Sequence, residues 1–298
     1  MKMFFLLLSV FVYGQTSFAK LNVVTTVTDL KVLVAEVGGA LVQVDSLAKG
    51  TQDPHYIEAK PSFMLKASKA DLVVSVGLDL EVGWLPSILQ GARNPRIQAG
   101  SKGNLELGPE LNPLEVPTGK VTRAEGDVHP FGNPHFTLDP IRMGEAAVKI
   151  AERLGELDPA NKSTYEKSAK ALQARLTEKT EKWRSRIQAS GHLKVVTYHQ
   201  TLTYFLQRMG VKAVAMLEPK PGIPPTSGHI LDVIKIIQNE KVALVLVENY
   251  FDPTVTKKIK ESVPNLRTAV VAVSVEGNDK VKSLDDLYEA LTQQFEAK

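Results

Sequence analysis

The chain has 298 residues, with 36 Lys and Arg against 33 Asp and Glu, which gives a formal net charge of +3. This near balance offers no basic field for nucleic acid, and a 43% share of hydrophobic residues is too high for a disordered chain. Cysteine is absent, which excludes disulfides, thiolate metal sites, cysteine nucleophiles and an acylated N-terminal cysteine. Any transition-metal site must therefore be built from histidines and carboxylates.

The first nineteen residues have the pattern of a secretory signal. Met1-Lys2 precedes an apolar stretch from Met3 to Tyr13, and the small residues Ser17 and Ala19 come shortly before Lys20. The apolar stretch is far shorter than the roughly twenty residues of a membrane-spanning helix. We therefore expect residues 1–19 to be a signal peptide cleaved after Ala19, and a periplasmic protein with no permanent membrane anchor.

The mature chain begins with alternating strands and helices. Leu21–Val27 is rich in β-branched residues, and Thr28 and Asp29 are the expected N-cap of a helix that runs to Val37. Next we expect strands at 42–47 and 70–77 and helices at 61–70 and 80–90, followed by a polar stretch at 91–134. Such alternation is typical of a parallel sheet covered by helices on both faces.

From Pro140 onwards the chain becomes rich in helix-forming residues, with predicted helices at 141–155 and 162–189. The second would extend roughly 40 Å, more than a small domain needs, so it is expected to bridge two lobes. After it, alternation resumes, with strands at 193–198, 211–216, 243–247 and 268–273 and helices at 201–209, 226–239, 254–262 and 284–295.

The resulting prediction is an α/β protein with two lobes that contain mainly parallel sheets and are joined by one long linker helix. The N-terminal lobe covers residues 20–155, the linker helix 156–189 and the C-terminal lobe 190–298. Sites of parallel sheets lie beyond the carboxyl ends of the strands, so the lobes are expected to face each other across a cleft that holds the site.

Three of the six histidines occupy positions expected at this cleft. His55 follows Asp53-Pro54, His135 follows Asn133-Pro134, and His199 closes a predicted strand. Only the fold could bring residues so far apart together, and three neutral imidazoles with a carboxylate or a water suit zinc. Each of them could also be a hydrogen-bonded structural histidine, which is the more common role of a single histidine at a strand end.

Other residues could be further metal ligands or have structural roles. Glu248 ends the apolar strand 243–247 and could be a fourth ligand, or it could orient a ligand; Glu276 follows the last strand. We expect Asp252 to cap a helix. Of the remaining histidines, His192 is expected to cap the long helix and His229 to be structural, whereas His129 could be a loop residue or an additional ligand.

Five segments resemble the metal-binding solute-binding proteins of ABC transporters, a family with zinc-, manganese- and iron-binding members. The resemblance covers the whole mature chain, and its segments are Asp53–Tyr56, Asn133–Pro140, Tyr198–Phe205, Gly222–Ser227 and Val247–Phe251. It implies that His55, His135 and His199 are metal ligands.

Two departures from the family pattern bear on the metal. Many relatives supply an Asp ligand from an Asp-Ser-Leu segment near the C-terminus, whereas this chain has Val273–Asp279 there, so the fourth ligand stays open between Glu248, Glu276, Asp279 and water. Manganese-binding relatives tend to have a carboxylate where this chain has His199, which favours zinc. The His-rich loop of some zinc-binding relatives is missing, because residues 112–130 hold only His129.

The sequence therefore predicts a monomeric periplasmic protein, not an enzyme, that captures one zinc ion and delivers it to an ABC permease. A manganese- or iron-binding protein of the same family is the alternative. A zinc-dependent hydrolase is a rival, since three histidines and a water also form a catalytic site, but the chain has no His-Glu-x-x-His motif. An adhesin-like surface protein with an incidental metal is a third possibility.

Overall fold

A computed structural model describes residues 20–119, 121 and 126–296. The expected signal peptide, residues 1–19, lies outside the described residues, so its cleavage stays a prediction. Within the described part of the chain, no helix is both long and apolar enough to cross a membrane.

The first parallel sheet contains four strands in the order β2-β1-β3-β4. Its strands are β1 (Leu21–Thr25), β2 (Val42–Ser46), β3 (Leu72–Ser75) and β4 (Asn104–Glu106), and the helices between them are α1 (Thr28–Gly38), α2 (Pro61–Ser68) and α3 (Leu85–Ala92). The β-branched residues of β1 and β3 are buried because helices cover both faces of the sheet.

Two helices follow: α4 (Pro140–Leu157) and α5 (Lys162–Ser190). The 29 residues of α5 extend about 43 Å. The helix ends at Gly191, whose φ of 72° is a left-handed conformation that favours glycine. Its buried face includes Leu172, Leu176 and Trp183. Helices α1 and α4 pack against it from the first lobe.

The second parallel sheet repeats the first in its strand order, β6-β5-β7-β8. Its elements are β5 (Lys194–Thr197), α6 (Thr203–Met209), β6 (Lys212–Met216), α7 (Ser227–Glu240), β7 (Leu244–Glu248), α8 (Val255–Ser262), β8 (Arg267–Val271) and α9 (Leu284–Glu296). Helices α6 and α9 also pack on α5, so the long helix contacts both lobes. The predicted fold class, two α/β lobes joined by a long helix, is confirmed; the exact domain boundaries stay a prediction.

One hydrophobic cluster spans both lobes, and each lobe also has a smaller cluster of its own. The shared cluster combines buried residues of α1, α4 and α5 with those of α6 and α9, including Leu33, Ile150, Leu176, Phe205 and Tyr288. Polar contacts add to it, because Asp29 at the start of α1 accepts hydrogen bonds from the backbone N–H of Val275 (2.7 Å) and the hydroxyl of Ser274 (3.0 Å). These shared contacts hold the lobes in a fixed relation.

Two local predictions were wrong. Thr28 and Asp29 do not cap α1: the N-cap is Val27, with no side-chain hydrogen bond, because the polar side chains of Thr28 and Asp29 bind the opposite lobe instead. The helix expected at 80–90 begins only at Leu85, since Leu78 and Asp79 have positive φ angles and the Glu81 carboxylate binds the backbone N–H groups of the turn that precedes it.

Candidate metal centre

Three of the predicted site residues meet at one point. One ligand atom from each of His55, His135 and His199 can be chosen so that all three lie within 4.8 Å of one another. The ring centroids of His55 and His135 are 5.3 Å apart, those of His55 and His199 5.7 Å, and those of His135 and His199 5.4 Å. The fold thus brings together residues that are 80 and 64 positions apart in the sequence.

The three histidines come from both lobes. His55 lies in the loop after β2, and His135 immediately precedes the short turn that leads into α4. His199 follows β5 in the second lobe. A cavity of about 150 Å³ adjoins the cluster and is lined by residues of both lobes, among them Asp53, His55, His199 and Glu218. The cluster therefore lies between the lobes, at the carboxyl ends of their strands.

Each of the three rings is held by a hydrogen bond at Nδ1. The partners are Asp53 Oδ1 for His55, Asn133 Oδ1 for His135 and Glu218 Oε2 for His199, each at 2.7 Å. All three partners are acceptors, so Nδ1 carries the proton and Nε2 keeps a lone pair. Orientation of this kind is typical of histidines that bind metals through Nε2.

Two of the three Nε2 atoms are unsatisfied. Those of His135 and His199 are buried and have no hydrogen-bond partner, whereas that of His55 lies 3.2 Å from Nε2 of His129. Buried polar atoms are rarely left without a partner, because desolvation costs about 1–3 kcal/mol that no bond repays. An electron-pair acceptor, such as a divalent cation, would satisfy them together.

Burial controls the protonation of His135. It lowers the pKa of His135 well below its ordinary value, and the neighbouring His55, His199 and His129 lower it further. Burial acts to raise the pKa of the Asp53 carboxyl, but hydrogen bonds and charge from His55 outweigh it, so that the pKa lies below its usual range. A site with an anionic Asp53 bound to His55 and a neutral His135 ring is suited to holding a cation.

Glu248 is buried behind His199 and is not part of the three-histidine cluster. It ends β7, and its Oε1 accepts a 3.3 Å hydrogen bond from the backbone N–H of His199, while its Oε2 has no partner. Burial raises the pKa of Glu248 to about 8. Its role as a fourth ligand stays a prediction.

The other fourth-ligand candidates point elsewhere. Glu276 forms an ion pair with Lys31 at 3.0 Å, and the Asp279 side chain is exposed. The sequence did not decide whether His129 is a loop residue or an additional ligand. Its ring is buried against that of His55, with centroids 5.3 Å apart.

The expected structural residues mostly have structural contacts. His229 Nε2 binds the backbone carbonyl of Met216 at 2.9 Å. The prediction that Asp252 caps a helix was wrong, because the N-cap of α8 is Thr254; the Asp252 carboxylate instead accepts hydrogen bonds from the backbone N–H and hydroxyl of Thr254. The prediction for His192 was wrong in detail, because Gly191 ends α5 and the His192 ring instead binds the carbonyl of Phe295 at 3.0 Å.

Sequence reasoning missed the residues that orient the rings, although two of them carry a signal. In Asp53-Pro54-His55 and Asn133-Pro134-His135, the first side chain accepts from both the backbone N–H and Nδ1 of the histidine two residues later. An Asp or Asn two residues before a histidine, with Pro between them, therefore predicts an oriented ring. Glu218 has no such local signal, since it follows a different strand from His199.

The repeated turn leads to a prediction for Asp53. We expect Asp53→Asn to retain most of the zinc affinity, since Asn133 fills the same position in the second turn, and Asp53→Ala to lose about 10–100-fold. Calorimetric titration of both variants with zinc measures the difference. Equal losses in the two variants would contradict a role for the Nδ1 acceptor.

Comparison with known proteins identifies the class to which this fold and site belong, a solute-binding protein of metal ABC transporters. Residues 23–297 match the family model of zinc-uptake complex component A, periplasmic (ZnuA), and the chain belongs to this family. The resemblance noted in the sequence is thereby confirmed.

Individual relatives differ in the metal that their names state. ScbA of Streptococcus cristatus, a metal ABC transporter substrate-binding lipoprotein, is 29% identical over 258 residues, which cover 83% of this chain and 78% of ScbA. The manganese ABC transporter substrate-binding lipoprotein ScaA of Streptococcus gordonii is 28% identical, with coverage of 83% and 78%. A crystal structure of a ZnuA deletion mutant with zinc bound shares the fold, with a TM-score of 0.76, 21% identity and coverage of 94% and 100%.

Proposed function

We propose that this protein captures one zinc ion between its lobes and delivers it to an ABC permease. The observation that carries the proposal is the convergence of His55, His135 and His199, whose Nδ1 atoms are held by acceptors, so that each ring presents Nε2 to an ion. Zinc is the transported substrate here, bound by the three Nε2 atoms at about 2.0–2.1 Å.

The ligand set favours zinc over manganese or iron. Neutral imidazole suits zinc, whereas manganese prefers carboxylate and other oxygen ligands. The two carboxylates nearest to the cluster, Asp53 and Glu218, are each engaged with a histidine Nδ1. They add negative charge around the ion without supplying oxygen ligands in this arrangement.

Binding without turnover is the second part of the proposal. A zinc hydrolase needs a zinc-bound water and a carboxylate or histidine free to take its proton. Asp53 and Glu218 are held by the ligand histidines, and Glu248 is fully buried beside the His199 backbone. These contacts favour holding an ion over activating a water.

The family supports the remaining elements of the proposal. Membership of a periplasmic uptake-component family supports a periplasmic protein with an ABC permease as its partner. The sharing of one core between the lobes supports a monomer, because the two halves of the site already belong to one chain.

Metal analysis of the purified protein tests this function. We expect one zinc per chain, and in a competition titration zinc should displace manganese and not the reverse. Tighter binding of manganese or iron would replace zinc with that ion as the substrate. Hydrolysis of peptide or ester substrates by the zinc-loaded protein would overturn the binding role.

Glu248 provides a further prediction. If it orients His199, Glu248→Gln keeps an acceptor for the His199 backbone N–H, and the zinc affinity should change by less than about tenfold. If Glu248 is itself a ligand, the amide should bind much more weakly, and the loss should exceed about a hundredfold. Calorimetric titration with zinc separates the two roles, and unfolding curves of the metal-free proteins control for packing.

A further inference from the structure

We propose that His129 is the fourth ligand of the ion, so that the site contains four imidazoles. This inference rests on the proposed function, because it concerns the same ion. It assigns a role to a residue that precedes His135 by only six positions and that the family resemblance does not identify as a ligand.

The strongest observation is the distance between two ring nitrogens. The Nε2 atoms of His55 and His129 lie 3.2 Å apart. Two zinc–nitrogen bonds of about 2.0 Å at a tetrahedral angle place their nitrogens about 3.3 Å apart. This separation fits two ligands on one zinc ion, and without an ion it is also that of an N–H···N hydrogen bond between the two rings.

The His129 ring is buried at the site. It packs against the ring of His55, with an interplanar angle of 33°. Because the ring is removed from solvent, partners for its nitrogens must come from the protein or from a bound ion. His55 and His129 then face each other through Nε2, which a cation between them would stabilise.

One ion shared by four rings requires a shift of the His129 ring. Its centroid is 5.3 Å from that of His55 and 6.3 Å from that of His135, and it lies outside the group of three histidines whose ligand atoms are within 4.8 Å of one another. Binding of the ion would therefore draw the His129 ring towards the other three.

The segment that carries His129 contacts both lobes. Two residues earlier, the backbone N–H of Asp127 binds the carbonyl of Pro221 in the second lobe at 2.8 Å. The Asp127 carboxylate accepts a hydrogen bond from Tyr56, the residue after His55 in the first lobe. These contacts position the backbone that carries His129 beside the His55 ring.

Zinc-edge X-ray absorption of the zinc-loaded full chain tests the proposal directly. Four imidazole ligands are expected in the unmutated protein, and three with an oxygen ligand in His129→Ala. A shell of three imidazoles in the unmutated protein would overturn the proposal even if the variant failed to fold.

Affinity provides an independent test. His192→Ala is the matched control, because the His192 ring binds the backbone carbonyl of Phe295 and lies outside the histidine cluster. Competition with a zinc chelator should show one zinc per chain in both variants, and a Kd at least about tenfold higher for His129→Ala. Equal affinities of the two variants would refute the role of His129 and leave the proposed function intact. Failure of the unmutated chain to bind zinc would instead remove the proposed function itself.

Discussion

His199→Ala is expected to weaken zinc binding by at least about a hundredfold. Removal of a residue that only orients a ligand typically lowers metal affinity about 10–100-fold, and removal of the ligand itself should lower it further. His199 is the member of the cluster that the second lobe supplies, and its Nε2 is buried without a partner. The variant also removes the 2.7 Å hydrogen bond that the Glu218 carboxylate accepts from Nδ1 of His199. Calorimetric titration with zinc measures the loss.

His192→Ala is the matched control for this experiment. It removes a histidine from the same lobe, but the ring of His192 binds the carbonyl of Phe295 and lies outside the cluster. The zinc affinity of this variant should equal that of the unmutated chain. If both variants lost affinity to the same extent, the three-histidine site would not be the binding site.

The three histidines could be placed at the cleft from the sequence, but the family resemblance was needed to identify them as ligands. His199 lies two residues after β5, at the carboxyl end of a parallel sheet where sites are expected. His55 and His135 lie in longer loops and are each marked by a preceding Asp-Pro or Asn-Pro. Convergence on a single point required the fold, since the sequence contains no information on how the lobes are oriented.

Features that depend on contacts between distant residues could not be predicted. Strand β4 has only three residues and exists through its pairing with β3, so no periodic pattern marks it. Helix α3 begins at Leu85, later than expected, because the Glu81 carboxylate binds the backbone of the preceding turn and the hydroxyl of Thr26. Thr28 and Asp29 have the sequence pattern of a cap, yet they bind a loop some 245 residues away.

The same limit applies to the orientation of the rings. Asn133 holds His135 with Oδ1 while its amide donates to Glu115 (2.7 Å) and to the carbonyl of Gln200 (3.2 Å), and its own carbonyl accepts from Tyr204 (2.7 Å). Residues of the second lobe thus fix a ligand of the first. The geometry of the site is therefore coupled to the packing between the lobes.

Asp139 is the clearest case of this coupling, and Asp139→Ala is expected to destabilise the metal-free protein by about 3 kcal/mol. The fully buried carboxylate accepts from the Ile141 N–H at the start of α4, from Arg142 at 2.6 Å and from Arg208 of the second lobe at 2.8 and 2.9 Å. Its loss would leave two guanidinium groups without their shared partner and would remove the cap of α4.

Denaturant unfolding of the metal-free protein, followed by tryptophan fluorescence, measures this loss. Asp232→Ala is the control, because Asp232 is an exposed residue whose ion pair with Lys235 lies within one helix; its unfolding curve should match that of the unmutated chain. Since Asp139 lies four residues after His135, we also expect Asp139→Ala to weaken zinc binding, but less than His199→Ala does. A destabilisation below about 1 kcal/mol would mean that water solvates Arg142 and Arg208 adequately without Asp139. The shared hydrophobic core alone would then keep the lobes and the metal ligands in place.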